Sequence, residues 1–268
     1  MSENVSSVKR ACRVLSLCRS VYYYECKLDS EEEIAESLKQ MHKKHPSSGF
    51  YQLYHRLRGK GKRWGKARAL RVYNSLGLSM KRRKTKKKIR RPKQPMEKLE
   101  STNQVWCMDF VHDQLGNGQA FRTLNILDEF SRESLCIYSD RSIGGKQVIR
   151  QLEELIDFRG KPKAIRTDNG SEFISEDVAK WSKKNGIDWL YIQPGHPTQN
   201  PYVERFNGTL RQELYNLHIF KNLKQVREMN QEWMDDYNNF RPHKGIGYRT
   251  PIQMARSAEK SLITNCPN

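Results

Sequence analysis

The stretch from Ala164 to Tyr215, which opens AIRTDNGSEF (164–173) and closes QNPYVERFNGTLRQELY (199–215), decides how this chain is read. Ala164-Ile165-Arg166-Thr167 reads as a short buried strand running into Asp168, and Asn169-Gly170 behind it is a strong turn signal, so Asp168 falls at a strand end. Thirty-five residues lie between Asp168 and Glu204. The second segment has the marks of a helix opening at Asn200, with an N-cap amide and then Pro201 at the first helical position. Val203, Phe206, Leu210 and Leu214 form one apolar stripe at helical spacing. Glu204 and Arg211 share a face along the flank of that stripe, with Asn207 nearby. A carboxylate on a strand end and another on a helix flank can converge at one edge of a sheet.

A third acid stands upstream. Val105-Trp106-Cys107-Met108-Asp109-Phe110-Val111 is an apolar run interrupted by a single carboxylate, the pattern of a central buried strand. An ionised carboxylate there is costly unless it is paired, protonated or bound to a metal, which makes Asp109 the third member of the set. Gly116-Asn117-Gly118 makes a turn, Phe121–Leu127 a second strand and Ser134–Tyr138 a third, before a helix over residues 145–158 that leads into the Asp168 strand. Asp113 and Asp128 are competing acids and read as structural or solvated.

The formal net charge of +19 is unevenly placed. Residues 1–100 carry 27 Lys+Arg against 9 Asp+Glu, whereas residues 101–268 carry 22 against 21. A polycation thus precedes a near-neutral domain, and such a block favours a polyanion, either nucleic acid or an acidic membrane surface, through counterion release and long-range attraction. No apolar run approaches a membrane span, and MSENVSSVKR (1–10) lacks the apolar core of a signal peptide, so the expectation is a soluble cytoplasmic protein. The six cysteines form no CxxC pair. A zinc site from Cys12, Cys18, Cys26, His42 and His45 does not match the usual ligand spacings, and ordinary packing is the preferred reading.

The basic half reads as short helices. Residues 8–24 begin helical and pass into the aromatic run Tyr22-Tyr23-Tyr24. Ser30 with Glu33 is a capping-box signature for a helix carrying Ile34, Leu38 and Met41. Helices over 50–58 and 65–77 follow, the second turning Leu70, Tyr73 and Leu76 inward and leaving Lys66, Arg68 and Arg71 available. A helix-turn-helix reader of DNA would present them so; a basic solvated bundle without groove specificity is the alternative. KRRKTKKKIRRPK (81–93) holds ten basic side chains in thirteen positions. Lys81, Arg82, Arg83, Lys84, Lys86, Lys87, Lys88, Arg90 and Arg91 in that block suit a DNA-tracking tether, or else a solvated linker. The expected division is a helical DNA-binding region (1–80), a polybasic linker (81–100), a catalytic core (101–255) and a tail (256–268).

Three strands, a helix, a strand ending in Asp168 and a helix bearing Glu204 give the order of a ribonuclease H-like domain. Asp109, Asp168 and Glu204 resemble the D,D(35)E pattern of retroviral integrases and related transposases. Residues 165–173 (IRTDNGSEF), 194–213 (PGHPTQNPYVERFNGTLRQE), 237–243 (YNNFRPH) and 247–251 (GYRTP) are similar to the OrfB transposases of the bacterial IS-three insertion-sequence family, with RSVYY (19–23) a looser match. Pro201, where a small residue such as alanine is expected, is a mild departure. The resemblance implies an α/β fold, a mixed five-stranded ribonuclease H-like sheet with flanking helices, preceded by a small basic all-α helix-turn-helix-like domain.

It further implies metal-dependent cleavage of DNA at element ends and transfer of the freed 3'-hydroxyl to another phosphodiester. Two Mg2+ ions on Asp109, Asp168 and Glu204, replaceable by Mn2+, would relieve the repulsion among the acids. Arg211 would hold a phosphate or orient Glu204, and Asn169 and Asn207 would assist positioning. The loop Ile192–Asn200 would order on DNA, with no duty assigned to His196. Val226–Tyr237 reads as an amphipathic helix with Trp233 and Tyr237 in packing roles, ended by Arg241-Pro242-His243; no role is assigned to His243. Implied partners are double-stranded DNA, an OrfA product or an OrfA-OrfB fusion, and further copies of the chain in a homo-multimer, in a bacterial cytoplasm near the nucleoid. The chain looks like the catalytic half of such a pair. A stand-alone nuclease of the same fold and a non-catalytic DNA-binding regulator are the rival readings.

Overall fold

The computed structural model describes residues 8–23, 29–79, 99–193 and 199–264. The polybasic block 81–93, Tyr24, Cys26, Cys266, loop residues 194–198 with His196, and the side chain of Ser30 lie outside the described residues.

The near-neutral half is built on a five-stranded sheet that extends outward from β1 (Val105–Gln114). β2 (Ala120–Asp128) returns antiparallel beside it and β3 (Ser134–Asp140) pairs antiparallel to β2. α6 (Gly145–Arg159) then crosses to β4 (Ala164–Thr167), which lies parallel to β1 on its other side. α7 (Glu176–Asn185) leads to β5 (Asp188–Tyr191), parallel to β4, giving the order β3-β2-β1-β4-β5. α8 (Pro201–Glu213), α9 (Leu223–Asn239) and α10 (Pro251–Thr264) follow.

Both faces of β1 are covered, which is why its sequence is a near-continuous apolar run. Trp106 and Met108 join Leu124, Ile126, Ile165 and the apolar sides of α6 and α7. Cys107 and Val111 join Phe121 and Leu127 beneath Val203, Phe206 and Leu210 of α8 and Val226 and Tyr237 of α9. The two-residue period of a strand puts Asp109 on the second face, toward α8. Trp233 packs at the edge of this cluster, as expected of it.

β5 and α7 were not separately legible. Asp188-Trp189-Leu190-Tyr191 is a four-residue edge strand that buries none of its side chains fully, and its short apolar run shows no alternation to mark a strand. α7 buries only Val178, Trp181 and Ser182 among ten residues. α10 continues to Thr264 with Ala255 and Ala258 buried, so the expected boundary at 255 falls inside a helix.

The basic half has its own core. α3 (Asp29–Lys44), α4 (Phe50–Gly59) and α5 (Lys66–Ser75) bury Ile34, Leu38, Leu53, Leu57 and Tyr73 together. The fully buried stripe of α5 is Ala69, Val72 and Tyr73, while Leu70 and Leu76 pack at its margin. Upstream, α1 (Val8–Val14) and α2 (Arg19–Tyr22) are two helices rather than one, because Ser16 takes a left-handed φ of 53° between them. Cys12 is buried and Cys18 exposed, and both are free thiols. Arg56 of α4, buried, makes a bidentate pair with Asp236 of α9 at 2.8 and 2.5 Å, joining the helical unit to the sheet-bearing lobe.

Candidate active site

β1 and β4 run parallel with Trp106 beside Ile165 and Cys107 beside Arg166. Continuing that offset past the end of β4 sets Asp168 abreast of Asp109. Gly170 makes room there: a Cβ on it would stand 3.2 Å from Asp168 Oδ1, and its N–H donates to that same oxygen at 3.1 Å. Glu204 lies in the first turn of α8, where the unsatisfied N–H groups favour an anion.

The start of α8 is fastened directly to β1. Asn200 does stand at the N-cap position, but its side chain makes no cap. Its amide donates instead to the Met108 carbonyl at 3.2 Å, one residue from Asp109. Further along α8, Asn207 Nδ2 donates to Asp109 Oδ2 at 2.8 Å. Asn207 Oδ1 in turn accepts from Asn125 Nδ2 at 2.7 Å, and Asn125 is the residue facing Asp109 across the β1–β2 ladder. Two buried amides therefore aim one oxygen of Asp109.

The electrostatics show that the acids share a space. Burial pushes the Asp109 carboxyl up to about 6, and the charges of Asp168 and Glu204 push the same way, against the Phe110 N–H and the Asn207 amide. Partial burial also raises Glu204. Among the described residues, no group of three His, Cys, Asp or Glu side chains is gathered tightly enough to hold a metal ion as it stands. The acids lie along one edge, near enough to repel.

The other expected contacts fall elsewhere. Asn207 is buried, with its amide committed to Asp109 and Asn125. Arg211 donates to the His112 carbonyl at 2.6 Å and lies 3.9 Å from Asp113, against β1 rather than against Glu204. Asn169 donates to the Ile192 carbonyl at 2.8 Å and so ties the end of β5 to the Asp168 turn. Arg68 lies 3.6 Å from Glu31 and Arg71 pairs with the same carboxylate, which turns both toward α3, while Lys66 sits 5.7 Å from the Tyr51 ring. Asp128 is structural as expected, capping the turn through Asn103 and Ser131 N–H groups.

Asn125 and Asn200 are the contributors that sequence reasoning missed. Asn125 is a buried amide inside an apolar strand, the same signal that singled out Asp109, whereas Asn200 was read as an N-cap and its tie to β1 had no signal in the sequence. A second charged pair, Arg122 with Glu172, bridges β2 to the loop after Asp168, its guanidinium 4.3 Å over the Phe110 ring.

A mixed sheet of this order, with one acid midway along β1, one just past the end of the parallel β4 and one on the helix that packs over them, defines an integrase-core enzyme, a polynucleotidyl transferase. Integrase core domain families match residues 100–197 and 185–251. The chain is 37% identical over 250 residues to the 31.7 kDa protein of insertion element IS407 from Burkholderia multivorans, covering 93% of this chain and 90% of that one. It is 35% identical to the 39.2 kDa protein of insertion element IS476 from Xanthomonas euvesicatoria, over 97% of this chain and 75% of that one. The fold is also similar to that of a chain in the structure of the simian T-cell lymphotropic virus intasome in complex with PP2A regulatory subunit B56 gamma, with a TM-score of 0.54 at 21% identity over 72% of this chain and 67% of that one. The chain belongs to the DDE transposases of the IS-three insertion-sequence family, and its function is that of a DNA transposase.

Proposed function

We propose that Asp109, Asp168 and Glu204 are the catalytic carboxylates and hold two Mg2+ ions, for which Mn2+ can stand in. The observation that carries this reading is the environment of Asp109. It is a carboxyl raised to about 6 by burial and by two neighbouring acids, yet it is fixed by an N–H and an amide that favour its ionised form. An all-oxygen set of three acids suits a hard divalent cation, whose charge would offset the repulsion. When bound, the metal would supply Lewis-acid activation of water or a 3'-hydroxyl and neutralise charge on the leaving oxygen.

The chain's own residues supply position. The Asn125–Asn207 chain holds Asp109 in one rotamer, Gly170 lets Asp168 turn back on its own loop, and Asn200 fixes where Glu204 begins relative to β1. In-line attack at phosphorus then needs no covalent protein intermediate: water cleaves the strand at an element end, and the freed 3'-hydroxyl attacks a second phosphodiester. Double-stranded DNA is the substrate, bound chiefly through residues 1–100, with Lys66 and the polybasic block as contacts. Two ends processed together call for a homo-multimer, with an OrfA product or fusion as partner, in a bacterial cytoplasm at the nucleoid. No helix among the described residues is long and apolar enough to cross a membrane.

The test is an end-cleavage and strand-joining assay with Mg2+ on Asp109→Asn, Asp168→Asn and Glu204→Gln. Each variant loses both steps by at least about a thousandfold, the scale of removing an essential electrostatic group, while gel-shift affinity for end DNA is kept. Cleavage surviving in any one of them removes that residue from the site.

A further inference from the structure

Behind α8 lies a cavity of about 420 Å³, between the helical unit and the catalytic lobe. Its walls come from the start of α4 (Phe50, Tyr51), from Tyr202, Arg205 and Thr209 of α8, and from the turn after α9 through Lys244 and Tyr248. Tyr202, Arg205 and Thr209 share one side of α8, roughly opposite Glu204 by the helical angle of about 100° per residue. This cleft is therefore separate from the acidic edge.

No aspartate or glutamate lines it, whereas Arg132, Arg205, Arg241 and Lys244 do. Arg241 is held by Glu213 at 2.8 Å. The other three cations are in no ion pair among the described residues. Two lining side chains keep a buried nitrogen without a hydrogen-bond partner, Arg132 Nη1 and His243 Nε2, one a donor and the other able to accept.

Flat rings stand on two walls. The Arg132 guanidinium lies 3.3 Å from the centre of the Tyr202 ring. Tyr248 stacks on His55 at 4.1 Å and on Tyr51 at 5.8 Å. Arg132 and Tyr248 both carry left-handed backbones, with φ of 65° and 60°, a strain retained where a side chain must be aimed. Paired ring platforms with unpaired cations and no acid match a nucleobase and its phosphate better than an acidic peptide, which would use the charge but not the planar surfaces. A space of this size excludes duplex DNA.

We propose that this cleft binds an unpaired nucleotide of the DNA being processed, with its base against the Tyr202–Arg132 stack and the Tyr51 and Tyr248 rings, and its phosphate on Arg205 and Lys244. The proposal rests on the chain acting on DNA but not on the three acids. It is tested in the full chain with an oligonucleotide carrying 5-iodouracil in a single-stranded overhang, irradiated and mapped by mass spectrometry. Adducts are expected on Tyr51, Tyr202 or Tyr248, with yield lowered about tenfold in Arg205→Glu/Lys244→Glu, which replaces both phosphate-holding cations by acids. Should that pair fail to fold by thermal melting, Arg205→Gln/Lys244→Gln reads the same loss more gently. The adduct persists in Asp109→Asn, so failure of the acidic-site reading leaves this readout intact. Adducts confined to residues 1–100 or to the acidic edge, a yield unaffected by the double substitutions, or displacement by an acidic peptide with no oligonucleotide adduct would each overturn it.

Discussion

Asn207 shows how a polar residue at a helix–sheet interface can be fully occupied by its neighbours. Its amide is divided between Asp109 and Asn125, so Asn207→Ala leaves a carboxylate oxygen and a buried amide without partners. The expected cost is about 1–3 kcal/mol in urea denaturation, with a larger proportional fall in cleavage rate, because Asp109 then loses its fixed rotamer. Gly170 separates the two effects differently. A methyl there would press on the Asp168 carboxylate at 3.2 Å, so Gly170→Ala is expected to reduce cleavage at least tenfold while moving the melting temperature little. Asp109 was legible because charge is expensive inside an apolar strand. Asn125 obeys the same physics but carries no charge, and a neutral amide in a strand is common enough to pass unread. Arg211 was read onto the face of Glu204 from helical spacing alone; spacing gives a side but not a reach, and its long side chain finds the His112 carbonyl instead.

At the scale of elements, periodicity served where burial was lopsided and failed where it was not. β1, β2 and β3 emerged at nearly their observed bounds, since alternate residues enter different cores. β5 did not, being an exposed edge, and α5 was read with its stripe displaced because Ala69, a small residue, occupies the closest approach. α9 illustrates what local chemistry adds to periodicity: Asn222 caps it by accepting from the Gln225 N–H at 2.9 Å. Asn222→Ala should destabilise the chain by about 1 kcal/mol, seen as a lower thermal midpoint, whereas Asn200→Ala, which removes a β1 tie and no cap, should act on cleavage more than on melting.

Across the whole molecule, the charge split visible in the sequence separates a polycation from the chemistry, but the joint between them was illegible because its partners are 180 residues apart. Arg56 is 4% exposed at its side chain and Asp236 is 25% exposed, so Asp236→Ala strands a guanidinium in a buried place. A loss of about 3 kcal/mol is expected, measured by chemical denaturation, with Arg56→Met/Asp236→Leu recovering part of it. The same region sets a pH dependence. Burial and nearby arginines push His243 down to about 3 and His45 to about 4, both below the ordinary histidine value of 6.5. The unfolded chain therefore takes up protons that the folded chain refuses, and the stability these residues confer is whole above 6.5 and drains away as pH falls toward those lower values. Asp109, raised to about 6, contributes with the opposite sign over the range between 3.8 and 6, so the test is a difference: the stability gap between the parent chain and His243→Gln should widen from pH 4 to 6.5 and then hold level. The amide that steadies Asp109 arrives 98 residues after it in the chain. On the proposed reading of residues 1–100 and of the acids, the DNA-holding unit is made before Asp109, Asp168 and Glu204, and α8 completes the edge only after the whole sheet is in place. Synthesis stopped before α8 would on that reading yield the basic unit without Glu204 and the Asn207 amide, and with Cys107 and Val111 of β1 stripped of the Val203, Phe206 and Leu210 cover.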